Sequence, residues 1–264
     1  MSNVEHALFV AWQNPISRSF YPVARLAQVV QSVCSECFEF VYIQNARDAE
    51  GFQPFSSFPD FKQIYRSKEL FPLFANRVPS SNRSDYQEYL RYLGLPDANN
   101  SPITLLSRSS GQRRTDTLEL FPLPTFEPDF GYRTWFWSHG IRHLESSNQE
   151  RVLKLAKEEE IFPSIDQSNT FDSQAIKLLS NDQIHIGFMP SYLLDDAHTL
   201  QEMCQTCEIF VERVNPSPAP VQQRLLCRLE SCWPDGFIPY SSTKYQPIPQ
   251  DAASILPPVF DREV

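Results

Sequence analysis

Glycine is scarce in this chain, with only 7 glycines among 264 residues. A phosphate-binding loop needs several closely spaced glycines, because only glycine lets the backbone approach a bound phosphate. Here the glycines lie far apart, and no two of them fit G-x-G-x-x-G or a P-loop. This spacing argues against a nucleotide-hydrolysing or dinucleotide-dependent enzyme.

Long apolar runs are also missing. No run approaches the roughly 20 residues that a membrane-spanning helix requires. Residues 1–6 lack the basic segment that opens a secretory signal, and the apolar stretch after them is very short. We therefore expect no membrane association and a cytoplasmic location.

Motifs that support catalysis are absent as well. The chain has no G-x-S-x-G nucleophile elbow and no pair of carboxylates at an obvious catalytic spacing. His139 and His143 are four residues apart, but their surroundings predict a strand and a bend, so they do not form a helical metal-binding pair. We expect a non-enzymatic protein with no catalytic residue, no cofactor and no metal.

Negative charge exceeds positive charge, giving a formal net charge of -9. Residues 1–130 carry 12 Lys or Arg against 14 Asp or Glu, whereas the remainder carries 11 against 18. An acidic surface repels phosphate backbones, which disfavours broad nonspecific binding of nucleic acid. A small local pocket for a strand end remains compatible with this charge.

The six cysteines include two C-x-x-C pairs, Cys34 with Cys37 and Cys204 with Cys207. This spacing is that of zinc ligands, but paired ligands of one zinc site usually lie within about 15–20 residues of each other. A disulfide framework is disfavoured in a cytosolic chain of this size. We favour buried, reduced cysteines, and a zinc site remains the alternative.

Proline and phenylalanine are abundant, with 22 and 20 copies. Residues 52–79 concentrate both types and predict an irregular packed segment. Residues 84–94 predict a short helix that ends at Gly94, and a second helix is predicted from Pro190 to Cys204. Aromatic and β-branched runs predict strands at 7–12, 20–23, 38–42, 103–106, 117–121, 132–137, 175–179, 184–188, 209–214 and 224–229.

Prolines and acidic residues around 122–128 indicate a domain boundary. The predicted organisation is an α+β domain over residues 1–130, a mostly β domain over 131–250, and a tail over 251–264. The fold class is therefore mostly β, or α+β. The second domain is expected to be a small β-barrel with one or two helices.

Three short elements of the second domain occur in a recognisable order. They are Gly-Ile-Arg-His at 140–143, Asn-Thr-Phe-Asp-Ser-Gln-Ala-Ile at 169–176, and Ile-Gly-Phe-Met-Pro at 186–190. This region, about 131–203, resembles the HIRAN domain, and the whole chain resembles a stand-alone bacterial HIRAN-domain protein. The resemblance implies a small β-barrel that binds the free 3′ end of single-stranded DNA.

The resemblance also implies the binding residues: Arg142, His143, Asn169, Phe171 and Asp172. Arg142 would hold a phosphate with its bidentate fork, Phe171 would stack on a base, and Asp172 would accept a hydrogen bond from a terminal hydroxyl. His143 and Phe171 stand where a DNA-binding member has tyrosines. In the alternative interpretation, Asn169 and Asp172 shape a loop, and Arg142 pairs with Asp172 to hold the barrel together.

The first domain resembles, more faintly, the N-terminal domain of HipA-type kinases. The similar segments are 9–12, 22–26, 38–42 and 70–77. In that family the domain contributes to contacts with protein partners. The sequence has no H-R-D or D-F-G element, so no kinase activity is implied.

Two functions therefore remain open. The first is a non-enzymatic module whose second domain binds single-stranded DNA or its 3′ end, while its first domain holds a protein partner. The second is a protein-interaction module or toxin–antitoxin component without nucleic-acid binding. The second function predicts an exposed Phe/Pro surface over residues 52–79 and burial of Arg142 against Asp172.

Overall fold

A computed structural model describes residues 3–31, 35–96, 100–113, 116–129, 131–167, 169 and 174–253. The fold is α+β and rich in antiparallel strands, which confirms the predicted class. Of the predicted tail, residues 254–264 lie outside the described part. The strands are β1 (Asn3–Gln13), β2 (Phe20–Gln31), β3 (Ser35–Tyr42), β4 (Tyr65–Ser67), β5 (Leu118–Pro122), β6 (Phe126–Glu127), β7 (Gly131–Trp137), β8 (Glu160–Ile165), β9 (Ile176–Leu179), β10 (His185–Phe188), β11 (Cys207–Val214) and β12 (Leu225–Ser231).

Short helices connect the strands. Several of them span only one turn, and single 3₁₀ turns occur at Ile141–His143, Ser191–Leu193, Val221–Gln223 and Thr243–Tyr245. The α-helices are α1 (Asn45–Asp48), α2 (Pro72–Ala75), α3 (Tyr86–Leu93), α4 (Pro102–Ser109), α5 (Ser146–Leu153) and α6 (Leu194–Met203). None of the helices within the described residues is long and apolar enough to cross a membrane.

The chain forms two compact units. The first unit comprises the described residues of 1–78, 101–125 and 238–264, and the second comprises those of 79–100 and 126–237. The sequence analysis divides the chain at residue 130 into two domains that are each continuous in sequence. In the structure, residues 79–100 and the segment after Phe237 each join the unit on the other side of that division.

The first unit is built on a five-stranded antiparallel sheet with the order β4-β3-β2-β1-β5. Its central strands are apolar on both faces, because both faces are covered. On one face Leu8 and Val10 belong to the main apolar cluster. On the other face Phe9 packs against Tyr240 at a ring-centre distance of 5.1 Å and against Tyr245 at 5.2 Å.

The Phe/Pro-rich segment is an irregular packed layer over this sheet, as predicted. Phe52, Phe58 and Phe74 are buried in the main cluster, and the rings of Phe40 and Phe58 stack at 3.9 Å. The exposed Phe/Pro surface expected at residues 52–79 for a protein-interaction module is present only in part, because these three rings fill the core while Pro59 and Pro72 are exposed. Further phenylalanines of the segment pack partly buried against the same cluster: Phe55, Phe61 and Phe71.

One predicted strand is wrong. Residues 103–106 lie in α4, not in a strand. Ser101 caps this helix, because its side chain accepts a hydrogen bond from the backbone N–H of Thr104, and Pro102 occupies its first turn. Ile103 and Leu106 then reach the main cluster from one helix face.

The other predicted elements form as expected. The helix over residues 84–94 is α3, which ends at Gly94 in the left-handed conformation with φ of 67°. The hairpin of the second half is β9 and β10, closed by a backbone hydrogen bond from Ser180 N–H to the Ile184 carbonyl oxygen. α6 follows this hairpin, as the apolar spacing predicts.

The second unit contains a seven-stranded antiparallel sheet with the order β10-β9-β8-β11-β12-β7-β6. This sheet does not close into the small barrel that the sequence predicts. The continuation of β7 meets the edge strand β10 at one isolated bridge, between His139 and Phe188. A single bridge is too short to complete a ladder between the two strands, so the described sheet remains open.

Candidate functional site

The candidate site lies where β7 and β10 meet. His139 and Phe188 exchange two backbone hydrogen bonds, each with an N···O distance of 2.9 Å. Gly187 permits this approach: its φ is +133°, and a Cβ added there would lie 1.9 Å from Ser138 Oγ and 2.8 Å from the His139 carbonyl oxygen. The first and third elements of the sequence pattern are therefore brought together.

Gly140 turns the chain away from this bridge. It has a φ of +77°, and an added Cβ would lie 3.0 Å from Cδ2 of Phe188. The 3₁₀ turn that follows buries Ile141 and leaves Arg142 and His143 exposed. A backbone hydrogen bond of 2.8 Å from His143 N–H to the Gly140 carbonyl oxygen closes the turn. The buried Ile141 thus anchors a turn in which the two predicted site residues, Arg142 and His143, are exposed to solvent.

The side chain of Arg142 is hydrogen-bonded to that of the next residue, His143. Its Nε–H donates to Nε2 of His143 at 2.9 Å, so His143 accepts through that nitrogen. Within the residues that the structure describes, no carboxylate pairs with the Arg142 guanidinium. The exposure of Arg142 differs from the burial that the interaction-module hypothesis predicts.

Other arginines of the second unit have a different environment. Arg228 contacts Glu158, Glu212 and Glu230 at 2.5, 2.7 and 2.9 Å. The hydrogen bonds that the Arg228 guanidinium donates to the Glu158 carboxylate are the main cause of the raised pKa of Arg228. Arg151 similarly pairs with acidic side chains. Arg142 therefore has no carboxylate partner among the described residues, whereas three glutamates neutralise the charge of Arg228.

The second sequence element begins in the loop between β8 and β9. Asn169 is half-buried, and its backbone N–H donates to the Asp166 carbonyl oxygen at 3.0 Å. The base of the loop is closed by Asp166 N–H to the Ala175 carbonyl oxygen at 2.7 Å and by the 2.9 Å ion pair of Lys177 with Asp166. The two other predicted site residues of this loop, Phe171 and Asp172, lie outside the described residues.

The backbone register places this loop close to the bridge. Phe188 pairs with Lys177 in β9 on one side and with His139 on the other. Lys177 in turn lies one position beyond Ile176, at which β9 begins after the loop. Phe188 is thus paired on one side with the residue before Gly140 and on the other with the residue that follows the second element.

Phe188 and His185 were not assigned a role from the sequence. Phe188 is half-buried, and its ring meets the His185 ring edge-on at a centre distance of 4.7 Å. Burial lowers the pKa of His185 from its ordinary value, and its Nε2 lies 3.0 Å from the Gly187 carbonyl oxygen. The sequence does contain a signal for Phe188, because this residue is the aromatic one of the Ile-Gly-Phe-Met-Pro element. The exposure of Phe188, however, depends on a bulge between His185 and Gly187.

The cysteines correct one expectation and support another. Cys204 and Cys232 form a disulfide, so the expectation of reduced thiols is wrong for both. They belong to different elements, one at the end of α6 and one just after β12, and this pairing depends on the fold rather than on sequence spacing. Cys227 is a buried free thiol, and burial raises its pKa.

One of the four thiolates that a zinc site on the two C-x-x-C pairs would need is not available as a ligand. The sulfur of Cys204 is committed to the disulfide, while Cys37 and Cys207 are half-buried free thiols. Cys34 lies outside the described residues. Among the described residues, no group of three or more His, Cys, Asp or Glu side chains is placed to hold a metal ion.

A cavity lies next to the edge strand β4 of the first unit. Its volume is about 630 Å³, and aromatic and polar side chains share its wall. Arg66 of β4 is 42% exposed at its side chain and pairs with the buried Glu39 at 2.8 Å. The lining residues include Phe58, Gln63, Tyr65, Arg66 and Phe71.

Comparison with known proteins adds little to this geometry. No family model and no curated protein matches the chain. A crystal structure of a protein from Lactobacillus plantarum is similar at 17% identity, with 37% of this chain and 98% of that chain covered and a TM-score of 0.26. A TM-score this low carries no argument about fold or function.

Proposed function

We propose that the second unit binds an end of single-stranded nucleic acid, with Arg142 as its phosphate contact. The observation that carries this proposal is the exposed Arg142 guanidinium, fixed by His143 at 2.9 Å and placed beside the bridge between β7 and β10. A guanidinium presents a planar fork of donors that matches two phosphate oxygens. Holding it through Nε leaves its terminal nitrogens for the ligand.

The neighbouring residues supply the rest of the contact. Phe188 offers a half-buried aromatic ring against the Gly140 turn that precedes Arg142, and a base can stack on such a ring. In the proposed complex, Asn169 and Phe171 also contact the strand, and Asp172 accepts a hydrogen bond from the terminal hydroxyl. The strand end, rather than the strand interior, is recognised because only an end carries that hydroxyl.

Net charge sets the expected strength and salt response. The acidic second half of the chain cannot attract a long phosphate backbone. With one or two phosphates contacted, the logarithm of affinity falls with the logarithm of salt concentration with a slope of about -0.7 per contact. We therefore propose weak to moderate binding with shallow salt dependence, by a cytoplasmic and non-enzymatic protein.

The direct test uses labelled single-stranded oligonucleotides with free and blocked 3′ ends. Fluorescence anisotropy is measured with the full chain at low and at physiological salt. The proposal expects binding of the free end that persists in salt and is lost on blocking. Equal affinity for both ends, or no binding at low salt, would contradict it.

A second candidate function is a protein-interaction module or toxin–antitoxin component, with the first unit as its binding part. The observation that favours it is the cavity beside β4, an edge strand whose outer side can pair with an extended peptide. Tyr65→Ser would reduce the aromatic wall of this cavity. The two functions are separated by the oligonucleotide titration, because a pure interaction module binds neither end.

A further inference from the structure

The disulfide between Cys204 and Cys232 lies at the far end of the helix that leads out of the candidate site. Pro190 ends the third sequence element, the 3₁₀ turn Ser191–Leu193 follows at once, and α6 runs from there to Cys204. Tyr192 is buried, and its ring lies 6.4 Å from that of His139, whose backbone pairs with Phe188. One continuous segment thus connects the bridge to the disulfide.

Among the residues that the structure describes, few besides the disulfide cysteines hold the last turn of α6. The buried positions of the helix are Leu194, Asp196, Ala197 and Leu200, and residues 201–203 are all exposed. After Leu200, the backbone hydrogen bond of 2.8 Å from Cys204 N–H to the Leu200 carbonyl oxygen and the disulfide supply the attachment. Loss of the disulfide therefore acts first on this turn.

The sheet beyond the disulfide has its own attachments. Ser231 Oγ donates to the Thr206 carbonyl oxygen at 2.8 Å, and Cys207 is in register with Ser231. β11 and β12 are paired from Cys207–Ser231 to Val214–Leu225, so their ladder has attachments other than the disulfide. Reduction is therefore expected to loosen the end of α6 while the unit stays folded.

Access to the disulfide is open on one side. Cys232 is exposed, whereas Cys204 is half-buried. The third cysteine of this region, Cys207, is a poor internal attacker, because burial raises its thiol pKa and keeps it protonated. Exchange must then come from an external thiol that reaches the Cys232 sulfur.

We propose that Cys204–Cys232 is a reversible thiol–disulfide site that fastens the end of α6 and tunes the candidate site at the other end of that helix. The co-reactant is a small dithiol or a protein dithiol. Its thiolate attacks Sγ of Cys232, forms a mixed disulfide and releases Cys204 as a thiolate that takes up a proton. The second thiol of the reductant then releases Cys232 and leaves as a disulfide, so two electrons pass to the protein.

The proposed cytoplasmic location supports a regulatory role for this disulfide. In a reducing cytoplasm, persistent structural disulfides are rare, and those that occur are usually transient or redox-sensing. Exposed disulfides are also the more labile ones. The regulatory reading rests on the proposed cytoplasmic, strand-binding function, whereas reducibility and loosening of α6 do not depend on it.

The test treats the native full chain with dithiothreitol, followed by alkylation, mass spectrometry and hydrogen exchange. We expect two additional alkylated cysteines without denaturant, a decrease in Tm of about 5 °C and roughly tenfold faster exchange in the last turn of α6. Cys232→Ser reproduces the reduced state without reductant. Cys37→Ser, which removes a free thiol of the first unit, leaves the disulfide, the Tm response and the exchange pattern in place.

Two results would overturn the assignment of a reversible disulfide that fastens α6. One is a disulfide that resists dithiothreitol until denaturant is added. The other is a reduced protein, or Cys232→Ser, with unchanged exchange in α6. A titration with a 3′-ended oligonucleotide then separates the two proposals. If α6 loosens on reduction and the reduced protein binds the strand several-fold more weakly, both proposals are supported. If α6 loosens but the strand binds in neither redox state, only the proposed function is contradicted. If the strand binds equally well in both states, the tuning of the site is contradicted.

Discussion

His139 and Phe188 join the two strands that frame the candidate site through a pair of reciprocal backbone hydrogen bonds. The bridge is a single residue pair, yet it sets the positions of the Gly140 turn, of exposed Arg142 and of the Phe188 ring. Its formation depends on the absence of a side chain at Gly187. The local geometry of the site thus depends on the absence of a side chain at Gly187.

Gly187→Ala should destabilise the second unit strongly. A Cβ at this position meets Ser138 Oγ at 1.9 Å and backbone at 2.8 Å, in a backbone conformation that alanine rarely adopts. We expect a loss of about 2–5 kcal/mol in the free energy of unfolding, measured by urea denaturation. The matched control is Gly236→Ala, where φ is +78° but no atom lies within 4 Å. It should lose only about 1–2 kcal/mol, and equal losses for the two variants would refute the steric explanation.

Glu39→Gln should destabilise the first unit. The Glu39 carboxylate is fully buried, pairs with Arg25 and Arg66, and accepts the backbone N–H of Ala253 at 2.9 Å. Burial lowers the pKa of Arg25, and its attraction to Glu39 opposes that shift. Neutralising the carboxylate leaves buried Arg25 without its counter-charge, which costs about 3–5 kcal/mol.

The control for this variant is a surface ion pair. Asp85→Asn breaks the exposed pair with Arg83 and should leave the denaturation midpoint unchanged within error. If Glu39→Gln is as stable as Asp85→Asn, the buried pair does not hold the segment around Ala253 in place.

Stability of the second unit should fall as pH decreases because of His185. Burial lowers the pKa of His185 below its ordinary value of 6.5, so the folded state favours the neutral ring. The unfolded chain binds the proton first, and the stabilisation is complete above the unfolded pKa and is lost as pH falls through the folded pKa. Urea denaturation between pH 7.5 and 5 should therefore show a slope that His185→Gln reduces. Identical slopes in the two proteins would contradict this assignment.

Ser101→Ala should weaken α4 by about 1 kcal/mol, because it removes the acceptor of the Thr104 N–H at the first turn. The measurement is again the free energy of unfolding. Ser101→Asp keeps a capping oxygen and should retain the stability of the natural sequence. A loss in Ser101→Asp equal to that in Ser101→Ala would show that the cap is not the cause.

α4 also shows where sequence patterns mislead. The run Ile-Thr-Leu-Leu at 103–106 is short and apolar, and periodicity cannot separate a buried strand from a buried helix at that length. The deciding signal was local: Ser101 followed by Pro102 is a helix start. α3 was predicted correctly because it combines one apolar face with a glycine stop.

For a related reason, only part of the candidate site could be predicted from the sequence. Arg142 and His143 were identified from a contiguous element, and the structure exposes both. The contribution of Phe188 depends on a β-bulge and on pairing with His139 across 49 positions of chain, which no local pattern encodes. The Cys204–Cys232 disulfide and the open sheet are long-range outcomes of the same kind.

The most direct measurement is the affinity of Arg142→Ala for a single-stranded oligonucleotide with a free 3′ end. Its matched control is Arg213→Ala, because Arg213 is also an exposed arginine of the second unit but lies on β11, outside the set that surrounds Phe188. We predict an affinity about 5- to 150-fold weaker for Arg142→Ala, an unchanged Tm, and little change for Arg213→Ala. Equal affinities for the two folded variants would contradict the assignment of this site.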